Sequence, residues 1–100
     1  MPTTLTLKPD EYVVISFPAD DDTEEVHIVV DAERPVFAHV MDTPNLNLYR
    51  EGEEFEYVGP TAARREHDFW APIDHRGRWH LVISNEQDQP VAVHYDFPDD

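Results

Sequence analysis

Histidine is the residue in this sequence best suited to chemistry: six stand among 100 residues, and cysteine is absent. Imidazole ligates metals and carries protons near neutral pH. The lack of cysteine removes disulfides, thiolate metal sites and thiol nucleophiles together. His80 and His94 lie in two alternating apolar stretches separated by Asn85-Glu86-Gln87-Asp88-Gln89. If those five residues form a hairpin loop with Ser84 opposite Pro90, Trp79 meets Tyr95 and His80 meets His94. Directly opposed residues hold their β-carbons about 4.5–5.5 Å apart, close enough for two imidazoles to share a divalent ion such as Zn²⁺. His27 or His39 from a neighbouring strand would supply a further ligand. The plain alternative is two histidines filling the solvent face of a hairpin.

Other catalytic patterns are weak. No helical His-Glu-x-x-His element and no cupin-type His-x-His pair occurs, so no cofactor is expected beyond that candidate metal. Ser16 and Ser84 are the only serines, and neither sits in a Gly-x-Ser-x-Gly elbow. Gly52, Gly59 and Gly77 are too dispersed for a phosphate loop. Asp20-Asp21-Asp22 with Glu24-Glu25 lacks the ligand spacing and glycine of a calcium loop and reads as a solvated turn. The reading is therefore a non-enzymatic one. Among the aromatics, Tyr49, Tyr57, Trp70 and Trp79 are candidates for a shallow groove. Trp70 falls out of register with Phe69 and Ala71, and an exposed indole beside Arg64 and Arg65 would be a binding hot spot.

These side chains must be positioned by strands, because apolar residues alternate with period two along most of the chain. Leu5 and Leu7; Val13, Ile15 and Phe17; Val26, Ile28 and Val30; Val36 to Met41; Phe55 and Tyr57; and Phe69, Ala71 and Ile73 form such rows. Trp79, Leu81 and Ile83, then Val91, Val93, Tyr95 and Phe97, complete the set. Turns are expected at Arg34-Pro35, Glu51-Gly52-Glu53 and His75-Arg76-Gly77. Pro72 marks an edge strand. Leu46-Asn47-Leu48-Tyr49 reads as a strand or one helical turn, and Thr61 to Glu66 as a loop or turn. The expected fold is all-β: residues 1–100 as one antiparallel β-sandwich or jelly-roll-like domain of about eight short strands, with residues 98–100 a frayed tail.

Charge is the outstanding bulk property. Asp and Glu number 22 against 7 Lys and Arg, a formal net charge of −15. Such a field repels phosphate backbones and anionic lipid headgroups, which argues against nucleic-acid and membrane-surface binding. It attracts basic proteins and cations; a plain solvating role, suited to a high-salt cytoplasm, is the competing explanation. Met1 to Asp10 shows neither the basic start nor the apolar run of a signal peptide, so a cytoplasmic protein is expected. The sequence does not set an oligomeric state.

Two stretches carry a family resemblance. One runs Ala38-His39-Val40-Met41-Asp42-Thr43-Pro44-Asn45-Leu46-Asn47-Leu48-Tyr49-Arg50-Glu51-Gly52 and on through Phe55-Glu56-Tyr57-Val58-Gly59; the other runs from Ala71 to Ser84 and contains Gly77-Arg78-Trp79-His80. In order and spacing, residues 36–97 resemble a small bacterial β-sandwich family of unknown function, found alone or joined to TIR signalling domains. Leu46 stands where that family has an aromatic residue. The hairpin pattern is also similar to protein-binding trafficking modules of the GOLD type. The resemblance implies an accessory or sensing module with a protein partner, basic or TIR-containing, and no catalytic residues. The expected binding surface is Asp42, Asn45, Tyr49, Arg64, Arg65 and Trp70. The alternatives are an acidic inhibitor or immunity-type protein that neutralises a basic one, and a metal-binding protein using His80 and His94.

Overall fold

The computed structural model describes residues 3–98; Met1 and Pro2 of the signal-peptide reading, and Asp99 and Asp100 of the expected frayed tail, lie outside them. Among the described residues the chain forms β1 (Thr3–Leu7), β2 (Tyr12–Ala19), β3 (Glu25–Asp42), α1 (Thr43–Glu51), β4 (Arg64–Pro72), β5 (Gly77–Ser84) and β6 (Val91–Asp96). All-β is the right class. The architecture is one curled, six-stranded antiparallel sheet resembling a half-barrel, instead of the expected eight short strands.

The count differs because β3 is one strand of 18 residues where the sequence suggested two, and because the expected Phe55–Tyr57 strand does not form. Arg34-Pro35 is a bend inside it, where the ladder to β4 slips between Asp31 and Val36. Parity survives the bend. Ile28, Val30, Ala32, Val36, Ala38 and Val40 are all buried, so one even-numbered row lines the concave face on both sides of the kink. Pro35 has no N–H to give a ladder. It falls between the stretch paired with β6 (Val29–Ala32) and the stretch paired with β5 (Phe37–Asp42).

The hairpin expected between β5 and β6 does not form. These strands pair with different lengths of β3, while β1 pairs with β6 and β2 with β5. The segment between them is a corner instead of a hairpin loop, and Asn85 holds it. That side chain is fully buried. Its Nδ2 donates to the carbonyls of Leu7 (3.1 Å), Lys8 (3.1 Å) and Gln89 (2.9 Å), and its Oδ1 accepts from the Gln87 N–H (2.9 Å). Its backbone N–H donates to the Glu11 carbonyl at 2.9 Å. One amide thus ties the β1–β2 corner to the β5–β6 corner, and Gln87 Nε2 reaches the Pro35 carbonyl at the β3 bend (3.3 Å).

Inside the curl, Leu81, Ile83, Val91 and Val93 meet the β3 row, with Leu7 and Trp79 toward the rims. Phe97 packs against Phe17 with ring centres 5.3 Å apart, bringing the end of the β6 run onto β2. Pro72 ends β4, which pairs with β3 alone, as its edge reading required. Phe55 and Tyr57 lie outside regular strands; Val58 alone bridges to Val40. Gly59 takes φ 120° and lies so close to the sheet that a Cβ would sit 3.2 Å from the Ala38 carbonyl and the Phe69 ring. Helix α1 covers the convex face of β2, β3 and β5, where Leu46, Met41 and Val82 form a second small cluster with Val14, Tyr49, Phe55 and Tyr57 around it.

Replacing Asn85 with alanine leaves several carbonyls at the corner without their donor. Equilibrium urea unfolding is expected to show a loss of about 3 kcal/mol, a large share of the stability of a 100-residue domain. A loss below about 0.5 kcal/mol, the scale of an ordinary surface substitution, would contradict this role.

Candidate functional site

A cleft of about 140 Å³ opens where the N-terminal end of α1 meets the β4–β5 turn and the segment around Tyr57. Its geometry begins with the helix start. Asp42 is the N-cap, with extended backbone (φ −82°, ψ 176°), and Pro44 occupies the first turn, where its missing N–H costs nothing. Asp42 Oδ1 accepts from the Asn45 N–H (3.1 Å) and from Asn45 Nδ2 (2.7 Å). Asn45 Oδ1 in turn accepts from the Glu56 N–H at 2.8 Å, which pins the returning segment beside the helix. Gly52 closes the helix in the left-handed conformation, φ 75°.

The second carboxylate oxygen of Asp42 lies 3.2 Å from His75 Nε2, and His75 Nδ1 lies 2.6 Å from Asp74 Oδ1. His75 thus links two acidic side chains across the mouth of the cleft. Its carbonyl accepts the Trp79 indole N–H (3.1 Å), and its ring packs 4.8 Å from the indole. Trp79, Met41, Val40 and Val58 give the cleft an apolar lining, with Tyr57 beside them, and Asp42, Glu56 and Asp74 make its polar side acidic. No serine, threonine, cysteine or lysine lines it, so the cleft offers shape and negative charge without an aliphatic hydroxyl, thiol or amine nucleophile.

The residues expected to act together are dispersed. Asp42 and Asn45 are in the cleft. Tyr49 sits on the convex face, edge-on to Tyr12 (5.2 Å) and Phe55 (5.1 Å), and burial, its first cause, raises its phenol above the ordinary 10.0. Trp70 is exposed (46%) and stacks on His27 at 4.5 Å, with His27 Nε2 2.6 Å from Asp68. Arg64 and Arg65 are exposed at the opposite end of the same strand, about 20 Å along it from Trp70 at some 3.3 Å per residue, so they form no joint hot spot with it.

The opposed His80–His94 pair needs correction. His80 stands opposite Ser16 and Met41, whereas His94 stands opposite Thr4 and Asp31. The buried His80 ring contacts Ser16 Oγ through Nδ1 (2.8 Å) and Thr43 Oγ1 through Nε2 (2.9 Å). His94 Nδ1 meets Thr4 Oγ1 at 2.7 Å. Among the described residues, no three His, Cys, Asp or Glu side chains are grouped to hold a metal ion. The acidic turn is an Asx-type turn in which Asp20 Oδ1 accepts from the Asp22 N–H (2.9 Å) and from the Thr23 hydroxyl (3.0 Å). Sequence reasoning missed Asp74, and His75, which it took for a turn residue, and it missed Ser16 and Thr43, whose place beside His80 depends on strand order.

Two histidines couple this region to pH. His39 lies under Tyr57 with ring centres 3.9 Å apart, and its Nε2 is buried without a hydrogen-bond partner. Burial, then the nearby His67, lowers its pKa from 6.5, against a hydrogen bond at Pro60. His80 is lowered by burial, then by Arg78 and Arg50, with Asp42 opposing. Both bind protons more weakly folded than unfolded, so their stabilising contribution is full above the ordinary 6.5 and is lost as pH falls through the lowered folded values. Urea midpoints are expected to fall between about pH 7 and pH 5, before most carboxylates titrate, and to fall less in His39→Gln. Equal slopes in the two proteins would contradict the assignment to His39.

The only helix among the described residues, nine residues long, is neither long nor apolar enough to cross a membrane. No family model, no curated protein and no solved structure matches the chain.

Proposed function

We propose that this domain acts as a binding module whose cleft, itself non-catalytic, receives a cationic side chain, a lysine ammonium or an arginine guanidinium, from a basic protein partner. The observation that carries this reading is the pairing of an apolar, aromatic floor with an acidic side in one concave space: Trp79, Met41 and Tyr57 against Asp42, Glu56 and Asp74. A long cationic side chain is matched to such a space, because its methylene stem is apolar and its head is charged. Tyr57 adds an aromatic surface for a cation.

The net charge of −15 supports the same partner chemistry by drawing a basic protein toward the domain before contact. An acidic inhibitor that neutralises a basic enzyme is the second reading, and the same charge favours it. The two differ in whether the partner loses activity on binding. The cleft also lies within the span that resembles the TIR-associated family, which keeps a TIR-containing partner as a proposal for its identity.

The test is an NMR titration of the ¹⁵N-labelled chain with a short lysine-rich peptide, with its norleucine counterpart as control. The lysine peptide is expected to move the Trp79 indole and Glu56 amide resonances. The double change Glu56→Gln and Asp74→Asn is expected to weaken it about tenfold, with affinity falling steeply as salt rises. Shifts confined to other surfaces, or equal binding of both peptides, would overturn the reading.

A further inference from the structure

Ser16, His80 and Thr43 form a hydrogen-bonded row outside the cleft, on the convex face, contributed by β2, β5 and the first residue of α1. Its proton arrangement follows from the carbonyl at its end. Thr43 Oγ1 donates its single proton to the Arg78 carbonyl (3.3 Å), so toward His80 it accepts, from Nε2–H at 2.9 Å. A neutral imidazole with its proton on Nε2 presents a lone pair at Nδ1. That lone pair faces Ser16 Oγ at 2.8 Å, so the serine hydroxyl donates to it.

His80 is 5% exposed, whereas Ser16 is exposed to solvent at the surface. A hydroxyl within reach of a base, the base oriented by a third group, and the hydroxyl open to substrate make up the arrangement by which serine becomes a nucleophile. Burial and the charges of Arg78 and Arg50 favour neutral His80, the form able to take a proton, while Asp42 opposes them. These arginines are two of only 7 basic residues against 22 acidic ones, so their field at this row runs against the sign of the whole molecule.

We propose that Ser16 is a nucleophilic hydroxyl, primed by His80, that accepts an acyl group from a small activated ester bearing a negative charge. Ser16 Oγ attacks the ester carbonyl carbon as its proton passes to His80 Nδ1. The carbon–oxygen bond to the leaving alcohol then breaks, and His80 returns the proton to that alcohol, leaving an ester on Ser16 and neutral imidazole. Water, deprotonated by His80 in the reverse sense, releases the acyl group as a carboxylic acid. Arg78 and Arg50 attract the anionic end of the substrate; Thr43 is a positioning residue that holds the imidazole tautomer.

The experiment treats the full chain with mono-p-nitrophenyl succinate and with p-nitrophenyl acetate, following p-nitrophenolate release, intact mass and peptide mapping. An acyl adduct on Ser16 is expected, formed faster from the anionic ester, absent in Ser16→Ala and slowed about 10²-fold in His80→Gln. Arg78→Gln is expected to remove the preference for the anionic ester. Should His80→Gln fail to fold, the pH profile of the wild-type chain decides: labelling falls on acidification through a midpoint below 6.5, the ordinary histidine value from which His80 is lowered. Thr43→Val is expected to slow labelling without abolishing it. No adduct on Ser16, labelling no faster than in urea-unfolded chain, or a rate independent of His80 protonation would overturn the proposal.

Discussion

One strand makes both halves of this molecule, and the bend in it has to be held without leaving buried polar groups bare. β3 lends its edges to β4, β5 and β6, and its even-numbered row supplies the concave core from Ile28 to Val40. At the kink the ladders stop. Carbonyls and N–H groups of three chain segments converge there, and each unpaired one would cost about 1–3 kcal/mol in an apolar surrounding. The Asn85 amide, with two donors and one acceptor group, meets that demand at a point no apolar residue could serve. The curl, the burial of Leu81 and Val93, and the convex face that receives α1 all depend on this corner.

The acidic cleft is a consequence of how the same strand ends. β3 runs directly into α1, so its last residue, Asp42, is both a strand partner of Trp79 and the cap of a helix. Capping uses one carboxylate oxygen and leaves the other to meet His75. The Asn45 amide then draws in the Glu56 backbone. A strand-to-helix junction, a tryptophan at the rim of the core and a returning segment thereby enclose a small concave space. On the convex face, the first helical residue, Thr43, reaches the buried His80 ring. Two distinct chemistries, an acidic aromatic cleft and a hydroxyl–imidazole row, therefore arise from one junction.

Much of this was legible from alternation. The inward rows of β2, β3, β5 and β6 were readable because apolar residues every second position announce a strand buried on one face. The edge position of β4 was readable from Pro72. Pairing was not legible: period two says which way a side chain points but not which strand lies beside it. Asn85 to Gln89 has the length and polarity of a hairpin loop, and only the buried contacts of Asn85 make it a corner. That single difference separates His80 from His94 and places His80 beside Ser16. The helix did leave a trace, an aspartate before Thr43-Pro44 and a glycine at position 52, which is a start and stop signature. Its strand-like Leu46-Asn47-Leu48-Tyr49 centre obscured that trace. His75 resembled an ordinary turn residue because its role depends on Asp42, 33 positions earlier.

The sharpest measurement of the central claim is hydrogen exchange at the Asn85 side-chain amide. If this group holds the corner, its two Nδ2 protons exchange only when the domain opens globally, with protection matching the backbone amides of Leu81 and Val93. The side-chain amide of the exposed Asn47 serves as the unprotected reference. Exchange at Asn85 as fast as at Asn47, with Leu81 and Val93 still protected, would show that the corner is held by something else and would contradict the account.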